Sequence, residues 1–206
     1  MSIVHKATLT PTKKEIFGAW LATQAWSPGE LTDTIGSYRF DDPAGKVGIE
    51  CVLLEVGESV VHLPVSYREA PLDGAEDFLM ATSEHSTLGT RYVYDACADP
   101  VAVRALLSAA LTGATQEPMD VYDRGRLVER RETVVTAAGT GSWARNAVPH
   151  FDGVTIRSHG VESRVDVGSF VVVVKRVVDG SDADGTESIR VTWPGGSGSL
   201  VGVRHR

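Results

Sequence analysis

Between Lys46 and Ala96 the chain carries strand-length apolar runs joined by turns of only a few residues, and this constrains the fold more than any other feature. Lys46–Val56 places Val47, Ile49, Cys51 and Leu53 on one face and Gly48, Glu50, Val52 and Leu54 on the other. Gly57-Glu58 then leads straight into Ser59–Arg68, the spacing of a hairpin. Phe78–Ser83 and Leu88–Ala96 repeat the pattern, and Gly36–Asp41 precedes it through a turn at Asp42-Pro43-Ala44-Gly45. A parallel crossover needs a dozen residues or more, so these strands must run antiparallel.

Two segments have helical period instead. Thr12-Lys13-Lys14-Glu15 fits a capping box, and Ile16, Phe17, Trp20 and Leu21 follow it as one apolar stripe. Asp99-Pro100 gives an N-cap and a proline at the first helical position. Val103, Leu106, Leu107, Ala110 and Leu111 form that helix's apolar face, and Gly113 ends it. Residues 114–120 have linker composition, and beyond them the chain reads as strand: Arg126–Ala138, Val154–Glu162, Arg164–Val178, Glu187–Trp193 and the closing Val201 and Val203. The expected class is α+β, a curved antiparallel sheet with two principal helices followed by a mainly antiparallel β second half. The expected units are 1–113, a linker at 114–120, and 121–206.

Charge and composition exclude some functions. Twenty Lys and Arg against 27 Asp and Glu give −7, so nucleic acid and anionic membrane are not expected partners. The longest apolar run, Phe170–Val174, is far short of the ~20 residues that span a bilayer. The N-terminus has no apolar core of a signal peptide, and the two cysteines, Cys51 and Cys97, form no CxxC. A cytoplasmic protein with reduced thiols is expected.

The chemical motifs are sparse. The six histidines never fall at metal-ligand spacing, so neither a metal nor a cofactor is expected. Gly139-Thr140-Gly141-Ser142-Trp143-Ala144 matches G-x-G-x-x-A, but Pro149, Asp152 and Gly153 interrupt the helix that would have to receive a pyrophosphate. It reads as a turn between strands, as does Gly195-Gly196-Ser197-Gly198-Ser199. Glu84-His85-Ser86 sets an acid, a base and a hydroxyl side by side, yet triads are assembled in space and not by adjacency. Trp20, Trp26, Tyr38 and Phe40 are candidates for a sugar-stacking or partner surface, with the core as their alternative place. No catalytic residue is expected.

Several short stretches carry a resemblance: Ile3–Leu9, Tyr38-Arg39-Phe40-Asp41-Asp42-Pro43, Val47–Glu50, Leu63–Arg68, Glu84–Gly89 and Tyr92–Ala96. Together they resemble the N-terminal cap domain of the maltokinases and related actinobacterial aminosugar kinases, over roughly residues 1–113. The resemblance implies a helix held by a curved, cystatin-like sheet beside a nucleotide-binding lobe. Gly160–Arg164, Gly168-Ser169 and Phe170–Arg176 are similar to the phosphate-loop hairpin and lysine strand of that lobe. This second likeness implies phosphate contacts at Ser163 and Lys175. Glu162 and Arg164 depart from the polar residues expected beside Ser163, and a carboxylate there repels phosphate.

The sequence ends 31 residues after Lys175, without the catalytic aspartate and metal-holding groups that phosphoryl transfer needs. The resemblance therefore implies a non-catalytic accessory protein that binds a protein partner, a sugar kinase or an enzyme of α-glucan or trehalose metabolism. A nucleotide- or sugar-phosphate-binding module and an unrecognised carbohydrate-active enzyme are the alternatives. A homodimer through an exposed strand of the second half is a further expectation.

Overall fold

The computed structural model describes residues 4–5, 8–123, 126–144, 148–151 and 153–206. In chain order the elements are β1 (Val4–His5), β2 (Leu9–Thr10), α1 (Lys13–Ala22), β3 (Leu31–Arg39), β4 (Gly48–Val56), β5 (Ser59–Arg68), β6 (Leu79–His85), β7 (Gly89–Asp95) and α2 (Pro100–Thr112). The second half supplies β8 (Met119–Asp123), β9 (Arg126–Arg131), β10 (Thr136–Gly139), β11 (Thr155–His159), β12 (Glu162–Val167), β13 (Phe170–Lys175), β14 (Val177–Val178), β15 (Glu187–Trp193) and β16 (Gly196–His205). The class is α+β, with a strongly curled sheet and mostly antiparallel pairing.

Three sheets form. The first half builds the order β2-β6-β7-β5-β4-β3, and β14 joins it on β5. The second half builds β10-β15-β16-β13-β12-β11, and β1, β8 and β9 form a small third sheet in which β1 runs parallel to β8.

Both helices are written in local chemistry. Thr12 accepts from the Glu15 amide while the Glu15 carboxylate accepts from the Thr12 amide, the reciprocal box that satisfies two orphan donors of α1. Asp99 caps α2 by accepting from the Val101 amide, and Gly113, at φ 70°, ends it in the left-handed region that glycine enters without penalty.

Strands β4 and β5 are apolar on both faces because both faces of their sheet are covered. Ile16, Phe17 and Leu21 of α1 pack on Val52, Leu54, Val61, Leu63 and Val65. The opposite face carries Tyr38, Phe40, Cys51 and Leu53 into a second core shared with Leu106 and Leu107 of α2 and Val165, Phe170, Val172, Ile189, Val191 and Val201 of the six-stranded sheet. One core thus runs across the midpoint of the chain. Residues 114–118 are woven into it: Gln116 donates its amide to Ala137 O, Glu117 donates to Arg39 O, and β8 begins at Met119.

The second half departs from the sequence expectation in its boundaries. The single run Arg126–Ala138 is two strands in different sheets, and the runs Val154–Glu162 and Arg164–Val178 break instead at Gly160 and Gly168, both at positive φ, and again at Arg176, giving β11, β12, β13 and β14. Of the expected turn Gly195–Ser199 only Gly195 lies in a turn; Gly196–Ser199 starts β16, paired with β15 through Thr192–Ser197 and Val191–Gly198. Glycine is needed there because a Cβ at Gly196 would lie 2.7 Å from the Trp193 ring.

Candidate functional site

The densest polar cluster lies where the two halves meet, and strand pairing explains it. Strand β4 occupies one edge of β5 along its whole length. The other edge is divided: β7 pairs with residues 65–68 and β14 with 60–61. Arg176, between β13 and β14, closes the gap. Its carbonyl accepts from the His62 amide at 2.8 Å, and its guanidinium reaches back along the gap to the end of β7.

There Nη2 donates to both Asp95 oxygens at 2.6 and 2.8 Å, and Nε donates to Ser163 Oγ at 2.9 Å. The guanidinium carbon stands 5.5 Å from the centre of the Trp26 ring. Arg176 is 1% exposed and Asp95 4%. Burial alone pushes the guanidinium pKa down, but the Asp95 carboxylate more than offsets it and the group is raised above its ordinary value.

His62 pins the same seam. Its Nδ1 lies 3.0 Å from Lys175 O, which can only accept, so Nδ1 carries the proton and Nε2 accepts from Tyr38 Oη at 2.9 Å. The two rings stack with centroids 5.8 Å apart. Burial, reinforced by the Arg176 charge and opposed by the Lys175 carbonyl, pushes His62 down to about 3. Burial also pushes the Cys51 thiol up to about 12 and raises Cys97, so neither is a ready nucleophile.

The sequence-derived candidates divide sharply. Ser163 faces Val174 across the β12–β13 ladder and is tied to Arg176 on the core side. Lys175 faces Glu162 in the next register position, on the opposite face of the sheet. Its ammonium sits 2.6 Å from Ser181 Oγ, 2.9 Å from Asp179 and 3.5 Å from Glu162. Hydrogen bonds from Ser181 and Lys175 hold the Asp179 carboxyl below the usual carboxylate range. The structure therefore does not bring Ser163 and Lys175 to one cleft.

The aromatics also separate. Tyr38 and Phe40 are buried in the shared core, meeting edge to face at 5.8 Å, while Trp20 and Trp26 are half-buried against the α1 core on the other side of the sheet. They make no common stacking surface.

The G-x-G-x-x-A stretch meets the wrong end of a helix for a dinucleotide. Gly141 and Trp143 donate their amides to Ala110 O and Leu111 O, the orphan carbonyls at the C-terminus of α2. Glu84-His85-Ser86 closes the β6–β7 turn: His85 Nδ1 accepts from the amides of Thr87 and Leu88, and Ser86 Oγ accepts from Thr8.

A second cluster, missed in the sequence, fastens α1 to the sheet. Glu50 accepts from Lys13, Ser37 and Tyr67, and Lys13 also lies over the Tyr67 ring. Burial raises the Glu50 carboxyl, but these partners outweigh it and leave it below its ordinary value. An open depression of about 600 Å³ lies beside α1, lined by Lys14, Glu15, Gly18 and Gly29–Leu31. None of the sequence-derived candidates lines it. Among the described residues no group of three or more His, Cys, Asp or Glu is placed to hold a metal, and no helix is long and apolar enough to cross a membrane.

A helix held by a curled antiparallel sheet, with a buried ion pair fastening that sheet to the second half, defines an α+β module. Residues 20–99, from the end of α1 through β7 to the cap of α2, match the maltokinase N-terminal cap domain. That cap is the non-catalytic N-terminal part of maltokinase. No curated protein matches the sequence.

Proposed function

We propose that the chain acts as a non-catalytic accessory protein, a maltokinase-type cap joined to a β-rich second half, and that it works by binding a protein partner. The observation that carries this reading is the commitment of its polar groups to the fold. Arg176, Asp95, Ser163 and His62 hold the seam, Lys175 is held by Ser181, Asp179 and Glu162, and Glu50 fastens α1. Catalytic groups must instead reach a substrate in a cleft.

The family of the cap supports a partner in sugar-phosphate, α-glucan or trehalose metabolism, with a sugar kinase first in line. The two buried free thiols support a cytoplasmic setting. Two assays test the reading. Incubated with magnesium-ATP and glucose, maltose or glucosamine, the purified protein should release no ADP above the blank, and sugar-dependent ADP release would refute it. Mixed with a purified maltokinase or trehalose-forming enzyme of the same organism, it should co-elute in size exclusion. Independent elution from both would refute the partner class.

A further inference from the structure

Among the described residues, β9 is the strand whose six residues are all exposed. It pairs with β8 on one side, and among the described residues its other edge is free. Two adjacent apolar side chains at its middle, Leu127 and Val128, are 50% and 53% exposed, and Val134, just beyond the strand, is 59% exposed.

The ladder explains why the apolar pair is displayed. Val121 pairs with Glu129 and Tyr122 with Leu127, so Val128 is an extra residue in a bulge. A bulge breaks the regular row of backbone groups that another strand would need, and charges along an edge also discourage pairing. Contact through β9 is therefore made by side chains.

Charge selects the occupant. On a chain of net charge −7, β9 carries Arg126, Arg130 and Arg131 against one acid, Glu129. Arg130 is fixed by a bidentate pair with Asp120 at 2.6 and 2.8 Å. Arg126 and Arg131 flank the apolar pair, and Arg131 makes an exposed contact with Glu129 at 3.3 Å. Two copies meeting β9 to β9 would oppose six arginines. At the root of the arm, a cavity of about 160 Å³ between Gly36, Ser37, Met119, Arg131 and Val134 extends the surface toward β3.

We infer that the β8–β9 arm is the docking surface for a different protein, one that presents an apolar cleft bordered by carboxylates. Leu127 and Val128 enter the cleft, and Arg126 and Arg131 meet its rim. This rests on the reading of the chain as a binding module, and it names the surface and the chemistry of the partner.

The test is photo-cross-linking in the native cell, with p-benzoylphenylalanine at position 127 or 128 and, as controls, at the exposed positions Leu88 and Val161. The expected result is one cross-linked species from 127 and 128 and none from the controls. Mass spectrometry should show a protein cross-linked beside clustered Asp and Glu. Arg126→Glu with Arg131→Glu should cut the yield at least tenfold while leaving the unfolding midpoint unchanged. Cross-links from Leu88 or Val161 alone would overturn the arm and leave the binding-module reading standing. No cross-link from any position would overturn both, and a cross-link to a second copy of the chain would overturn the choice of occupant.

Discussion

Replacing Arg176 by methionine removes the positive half of a buried pair and leaves Asp95 with Cys97, whose amide donates to it at 3.0 Å, and without a counter-charge from that side chain. At 4% exposure the carboxylate cannot recover its hydration. Breaking a buried pair from one side typically costs about 3–5 kcal/mol. For a chain of this size each kcal/mol moves the midpoint by roughly 2–4 °C, so Arg176→Met should melt about 6–20 °C below the wild type. The double variant Asp95→Leu/Arg176→Met removes both charges and forfeits only neutral hydrogen bonds. It should lie within about 2 kcal/mol of the wild type, giving a coupling energy above about 1 kcal/mol. Urea unfolding followed by tryptophan fluorescence and by far-ultraviolet circular dichroism reads both quantities. Because one core serves both halves, the two probes should report one transition. A loss below about 1 kcal/mol in Arg176→Met, or a double variant as unstable as the two singles summed, would refute the claim that this pair holds the seam.

Three further outcomes follow from the same contacts. His62 titrates near 6.5 when unfolded and at about 3 when folded, so its stabilisation is complete above pH 6.5 and is lost as the pH falls toward 3. Between pH 7.5 and 5 the wild type should lose about 2 kcal/mol that His62→Gln does not lose, as read by urea midpoints at the two pH values; equal losses would contradict the buried neutral imidazole. Gly139→Ala would drive a Cβ into the Ala109 carbonyl at the end of α2, and it should cost about 3 kcal/mol or more, whereas Gly153→Ala, which meets nothing within 4 Å, should stay within about 0.5 kcal/mol in the same assay. Val128→Ser on the exposed arm should also leave stability within about 0.5 kcal/mol; a larger loss would show that β9 is packed.

The first half was legible because its signals are local. A capping box, an Asp-Pro helix start and hairpins closed by two- to four-residue turns each fix structure within a few residues, and α1, α2 and β4–β7 follow them. The second half was harder because its strand ends are set by contacts distant in sequence. The β15–β16 hairpin is a local exception, closed by the Pro194-Gly195 turn, but the glycine- and serine-rich run Gly196–Ser199 lacks the β-branched residues that mark a strand. The site followed the same division. Lys175 and Arg176 stood out as charges closing a valine strand, but Asp95, His62 and Ser163, the groups that explain Arg176, come from three other strands. Their meeting depends on two strands sharing one edge of β5, a topological fact that no spacing in the sequence records.

Thermal unfolding of the full chain with and without magnesium-ATP, ADP, maltose and glucosamine tests most directly whether its polar groups serve the fold or a ligand. A ligand present at 100 times its dissociation constant adds about 2.7 kcal/mol, which would raise the midpoint by roughly 5–10 °C here. The account predicts the same midpoint with all four. A rise of that size with nucleotide, abolished by Lys175→Ala, would contradict it and return Lys175 to a working phosphate site.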